Sequence, residues 1–304
     1  MDLLQEALSY LMSSPKGILA GCIGLFGLLN LKSLPLFWHV RIFSAFFQQS
    51  KTSSLHDSSD ILDLSQNLHT PLIFRPLITS TRCSILELDY VLHKSNSTYF
   101  TDLDVSRVHL LLALFKNGMA KLQKEENSNG NNKMVMPVLG GASASFRRAI
   151  PPFRKYDVVT RVLCWDEKWI YIVSWFVTTG SLGSVRRKKD EKISGPSGVG
   201  SKHEDGKQGH SESSKPVVPR SVYATSIAKY VVKAGSKTVK PESVMVASGL
   251  IPEGDSEEVK GMRANIEKGR LQALKYGRAF CELDGLHGEF DEDVDTLRSF
   301  RDLL

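Results

Sequence analysis

Asp89 stands four residues before His93; Asn96 follows three residues later and Tyr99 three after that, where a long helical apolar repeat begins. A carboxylate at a turn can activate water or attack a carbonyl itself. A helix start supplies N–H groups with no intrahelical acceptor, and these can polarise a carbonyl oxygen. Together the two are what hydrolysis of a thioester needs. In that reading His93 hydrogen-bonds the acid or the thioester region, and Asn96 fixes the loop and places the attacking water. Asp104 lies eleven residues after His93, and Arg107, three residues on, is its natural ion-pair partner on one helix face. Each residue also has a plainer role. Asp89 can shape the turn, His93 can be a satisfied core side chain, Asn96 or Ser97 can cap the helix, and Asp104 can answer the helix dipole.

These side chains need a frame. Tyr99, Leu103, Val108, Leu111, Leu112 and Phe115 recur at helical spacing up to about Leu122, so apolar a helix that it must be wrapped by something. Ahead of the motif, Cys83 and Ile85 alternate with polar neighbours between Thr79 and Leu88, as in a half-buried strand. After a turn-forming stretch from Glu125 to Lys133 come runs rich in Val, Ile and aromatics: Met134–Arg148, Tyr156–Trp165 and Trp169–Thr179. The last two flank a short Asp166-Glu167-Lys168 turn and read as an antiparallel hairpin. Val222–Lys233 supplies another strand and Thr238–Ala247 a further short one. One long helix followed by antiparallel strands is an α+β chain.

The pattern D-x-x-x-H-x-x-N-x-x-Y over Asp89–Tyr99, with Asp104 and Arg107 on the helix, resembles the signature of hot-dog-fold acyl-CoA thioesterases, the 4-hydroxybenzoyl-CoA thioesterase-like group. It is most similar to the membrane-anchored branch, thioesterase superfamily member six and its fungal relatives. The likeness runs from the apolar N-terminus to about Thr179 and resumes near Val222. It implies a sheet curled around the long helix and a homodimer whose cleft lies between two subunits. It also implies acyl-CoA thioester hydrolysis with catalytic roles for Asp89, His93, Asn96 and Asp104. Coenzyme A enters only as part of the substrate; no metal or redox cofactor is needed. Where many members have glycine before the histidine, this chain has Leu92, and it has Ser95-Asn96 where many have two asparagines. Arg147, Arg148 and Arg154, around Pro151-Pro152, are candidates to hold the phosphates of coenzyme A. A catalytically inactive, membrane-anchored acyl-binding or scaffold protein on the same fold is the alternative.

The net charge of +6 over 304 residues is modest and clustered, with no aromatic-plus-basic repeat or zinc spacing, which argues against a nucleic-acid partner. The four cysteines are far apart and form no metal motif or disulfide framework. Gly17 to Leu31 is a 15-residue run without a charge, followed by Lys32 and then Trp38. It is short for a span, but a snorkelling lysine and an interfacial tryptophan predict an N-terminal membrane anchor helix. The excess of Lys and Arg after the run places the main domain of this single-pass protein in the cytosol, and an endoplasmic-reticulum membrane is compatible. The expected organisation is an anchor and interfacial segment over 1–50, a linker over 51–78 and a hot-dog domain over 79–250. The last carries a disordered insertion over 181–220 without an aromatic residue. A C-terminal helix and acidic tail occupy 251–304.

Overall fold

The computed structural model describes residues 14–51, 70–128, 130, 132–181, 219–290 and 299. Six strands form one antiparallel sheet: β1 (Leu77–Arg82), β2 (Val135–Phe146), β3 (Lys155–Trp165), β4 (Ile170–Thr178), β5 (Val222–Ala234) and β6 (Lys237–Val239). The spatial order is β1-β3-β4-β5-β2, with β6 added to β5. The predicted hairpin is β3–β4, in register from Tyr156–Thr178 to Trp165–Ile170 with one irregularity between Val162 and Cys164. The main helix, Asn96–Ser128, is one turn and more longer than its apolar repeat predicts; its last turns, over Glu125–Ser128, are exposed or half-exposed.

The inner face of the sheet wraps this helix. Leu110, Leu111, Leu114 and Phe115 pack on Val162, Ile170, Ile172, Tyr230 and Val232. Nearer the helix start, Tyr99 and Leu103 pack on Tyr156, Val158 and Phe176. A single helix enclosed by a curled antiparallel sheet is the hot-dog arrangement.

Both faces of β3 and β4 are buried, which a one-layer wrap does not explain. The second cover is a helix over Glu257–Glu282, whose Leu274 packs on Leu163, Cys164, Tyr171 and Val173 of the outer face. Glu257–Glu282 therefore contributes a layer of the domain, and this helix falls where the composition of Glu253–Phe280 predicts one.

Two other expectations need correction. The half-buried strand expected over Thr79–Leu88 ends at Arg82; Ile85–Glu87 is a 3-10 turn closed by a capping box between Ser84 and Glu87. The short strand expected over Thr238–Ala247 stops at Val239, and Pro241 opens a helix over Pro241–Ala247. Proline has no N–H for a ladder but fits the first turn of a helix. That helix lies so close to the main one that a Cβ on Gly118 would sit 2.1 Å from Ser248 Oγ. The expected linker, at 52–69, and most of the expected insertion, at 182–218, lie outside the described residues.

At the N-terminus the chain forms α1 (Pro15–Leu29), a tight turn, and α2 (Phe37–Lys51). In chain order the remaining helices are α3 (Asn96–Ser128), α4 (Pro241–Ala247) and α5 (Glu257–Glu282). Among the described residues no helix is long and apolar enough to cross a membrane. The single-pass anchor is corrected on that point: 15 residues of helix rise about 22 Å, short of a bilayer's ~30 Å core. The reason α1 stops is local. Asn30 is fully buried, its side-chain amide donating to the Phe26 carbonyl at 2.8 Å while its oxygen accepts the Leu86 N–H at 2.9 Å. Lys32 points into the protein, where a snorkelling lysine would point outward.

Candidate active site

The motif folds as a closed loop between β1 and α3. The Asp89 N–H donates to the His93 carbonyl at 2.9 Å, and the Ser95 N–H donates to the Glu87 carbonyl at 2.7 Å. Asp89 Oδ1 accepts the N–H groups of Val91 at 3.0 Å and His93 at 3.3 Å, the side-chain turn its residue type favours. Oδ2 takes no partner among the described residues. His93 and Asn96 are exposed, and Asn96 is the first helical residue. The N–H groups of Asn96 and Ser97 have no acceptor among the described residues, whereas Thr98 bonds back to Ser95. A half-exposed carboxylate with one unbonded oxygen and two free helix-tip N–H groups thus share one loop.

Leu92 adopts φ +57°, the left-handed region that disfavours a side chain. The loop turns here through a conformation that glycine adopts without cost.

The basic segment lies against this loop. The Lys94 N–H donates to the Ile150 carbonyl at 2.9 Å, and Cys83 exchanges backbone bonds with Phe153 and Arg154. Arg147, Arg148 and Arg154 are all exposed. Arg148 lies over the Tyr223 ring at 4.5 Å. Burial pushes the Tyr223 hydroxyl up, but hydrogen bonds from Thr178 and Arg154 and the charges of Arg154 and Arg148 more than offset it, and the net shift is downward. The structure therefore brings Arg148 and Arg154 together beside the motif. Asp104 sits apart from Asp89, two turns along α3, half-exposed and held by Arg107 Nη2 at 2.6 Å.

Beneath the loop is a charged cluster that the sequence reading misses. Asp102 is 1% exposed. Its carboxylate receives Tyr156 OH at 2.6 Å, Arg41 at 2.8 Å, Lys94 at 3.0 Å and Lys32 at 3.4 Å. Glu87 bridges Lys94 at 2.6 Å and Lys32 at 2.8 Å. Burial pushes the Asp102 carboxyl up, yet the charges of Lys94, Lys32 and Arg41 hold it well below the usual range. Burial lowers the Lys32 ammonium, with Asp102 and Glu87 opposing. The cluster ties three separate pieces together: the α1–α2 turn, the motif loop through Lys94 and Glu87, and the helix through Asp102. One signal was available. Tyr99, Asp102, Leu103, Ser106 and Leu110 share a helix face, and a carboxylate on a buried stripe requires a buried cation.

The profile of the Thioesterase-like superfamily matches residues 83–189. The thioesterase poxG of Penicillium oxalicum is 34% identical over 275 residues, covering 86% of this chain and 83% of the relative. The chain belongs to this family. The probable thioesterase atnL of Emericella nidulans is 36% identical over 256 residues, covering 81% and 76%. A probable thioesterase of Saccharomyces cerevisiae is 30% identical over 268 residues, covering 86% and 92%. The protein THEM6 of Drosophila melanogaster matches 34% of this chain and 49% of its own length at 29% identity. The resemblance drawn from the motif thus holds for both the fungal thioesterases and the THEM6 branch, and a thioester hydrolase is the activity class of the family.

Proposed function

We propose that the chain hydrolyses an acyl-CoA thioester in a cleft completed by a second copy of itself. The observation that carries this reading is the shared loop: one Asp89 oxygen is pinned by backbone N–H groups, and its other oxygen and the N–H groups of Asn96 and Ser97 have no partner among the described residues. In the reaction the substrate carbonyl oxygen takes those N–H groups, and Asp89 either draws the proton from an attacking water or attacks the acyl carbon itself. Coenzyme A leaves as the thiol. His93 orients the acid, Asn96 holds the loop, and Asp104 stands further along the helix as a second acid. Arg147, Arg148 and Arg154 take the coenzyme A phosphates.

The free edge of β2 supports the dimer. Its 12 residues pair on one side with β5; the other edge is unpaired among the described residues, and Met136, Val138, Leu139 and Phe146 are exposed. A long apolar edge is a template for strand pairing. Phe146 packs on Tyr99 with ring centroids 4.9 Å apart, so a partner along that edge would lie against the start of α3. Attachment to a membrane surface, with the main domain on the cytosolic side, is supported by a wide apolar face on α1 and α2. Ile18, Leu19, Ile23, Leu28, Leu36, Phe43 and Phe47 are each exposed by half or more. Sedimentation with phosphatidylcholine vesicles tests it: Leu19→Glu combined with Phe43→Glu should leave most of the protein in the supernatant.

One observation favours the non-enzymatic alternative: in the single chain the Asp89 carboxylate shapes its own turn. Turnover of acyl-CoA substrates of graded chain length, with Asp89→Asn beside the unaltered protein, decides between them. Loss of turnover by about 100-fold or more in the variant is the expected result. Acyl-CoA binding without turnover in either protein would establish the scaffold.

A further inference from the structure

The outer face of the sheet carries a cleft of about 780 Å³, bounded by β3, β4, the Leu72–Phe74 turn and α5. Its walls are mainly apolar, with Phe74, Val159, Leu163, Trp175, Val177 and Tyr276, and Thr70, Ser221 and Gln272 also reach it. Strand alternation sets Val159, Leu163, Trp175 and Val177 on the side of the sheet away from α3. Within this apolar lining stands Arg161. Its Nη1 donates to the neighbouring Val162 carbonyl at 3.0 Å, and its guanidinium lies 5.5 Å from the Trp175 ring centroid. No carboxylate pairs with it among the described residues.

That isolation sets Arg161 apart from three other arginines that are buried or half-buried. Arg41 has Asp102 at 2.8 Å, Arg107 has Asp104 at 2.6 Å and Arg270 has Glu267 at 2.6 Å. Burying a cation without a counter-ion is costly, and a planar guanidinium presents a fork that fits one carboxylate. Burial lowers the Arg161 group, with Cys164 opposing and no carboxylate among the causes. The cleft is within the range of ligand sites and far too large for a small anion. We infer that this cleft is a binding site for a long-chain aliphatic carboxylate. The head group pairs with Arg161, and the chain lies along Val159, Trp175 and Val177. The site is separate from the Asp89 loop and does not depend on the catalytic reading.

The test is displacement of the fluorescent fatty acid cis-parinaric acid from the full chain by dodecanoate, hexadecanoate and their methyl esters, below their aggregation limits. The carboxylates should displace the probe at least tenfold better than the esters. Arg161→Gln should weaken the probe about tenfold and erase the preference for the acid, while Arg161→Lys keeps part of it. Ala273→Phe, which fills the cleft from the α5 side, should abolish probe binding. Equal displacement by acid and ester in the unaltered protein overturns the proposal without any variant. Unchanged binding in Arg161→Gln or Ala273→Phe overturns it too. Loss of thioester turnover in parallel with binding in Arg161→Gln also overturns it, because the carboxylate would then occupy the thioesterase cleft.

Discussion

Asp89 and Asp102 are thirteen residues apart on either side of the start of α3, and they face opposite conditions. Asp89 is half-exposed, braced by two backbone N–H groups and free on one oxygen. Asp102 is enclosed by Lys32, Arg41, Lys94 and Tyr156. A carboxylate saturated with charge-assisted bonds has no lone pair to spare for a proton, so Asp102 can hold elements together but cannot act as a base. Asp89 has little holding to do and is left available. The difference lies in what surrounds each, since the two are the same residue type at the same helix end.

The largest effect should come from breaking the enclosed partner. Asp102→Asn leaves Lys32, Arg41 and Lys94 with Glu87 alone, and the unfolding free energy should fall by about 3–5 kcal/mol, read by urea denaturation. Asp89→Asn should behave in the opposite way, losing turnover while its stability stays within about 1 kcal/mol, because an asparagine oxygen still accepts both N–H groups. Equal destabilisation by the two variants would remove the distinction.

The pH dependence sharpens the same contrast. The Asp102 carboxyl is depressed below its ordinary 3.8 when folded. Its contribution is therefore complete above the unfolded value and is lost as pH falls through the folded one. Urea midpoints between pH 7 and pH 2 should drop more steeply below about pH 4 in the unaltered protein than in Asp102→Asn. The smallest effect is expected at Leu92. Leu92→Gly relieves the left-handed strain at φ +57° but loosens the unfolded chain, for a net gain of about 0.5 kcal/mol. A loss larger than about 1 kcal/mol would mean that the leucine side chain contributes packing the loop needs.

Much of the frame was legible. The β3–β4 hairpin lies within a residue of its expected limits because its valines, aromatics and intervening polar turn all point one way. Strand β5 follows for the same reason. Ile85 misled, since apolar alternation through Cys83 imitates a strand, and only the Ser84–Glu87 capping box shows a turn. Val244 and Met245, read as strand, are core positions of a helix whose start depends on Pro241. The N-terminal run was apolar enough to suggest an anchor, but the run's hydropathy says nothing of Asn30 and Lys32 being drawn into the domain.

Sequence by itself determined the family, the helix that carries Asn96 and Tyr99, and most of the strands that wrap it, because periodicity and a spaced motif are local properties. Only the tertiary structure decided that Lys32, Arg41, Glu87, Lys94 and Asp102 meet. It also decided that α5 covers the outer face and that Arg161 has no carboxylate partner among the described residues. Those outcomes depend on contacts between residues distant in the chain, such as Lys32 and Tyr156, 124 positions apart.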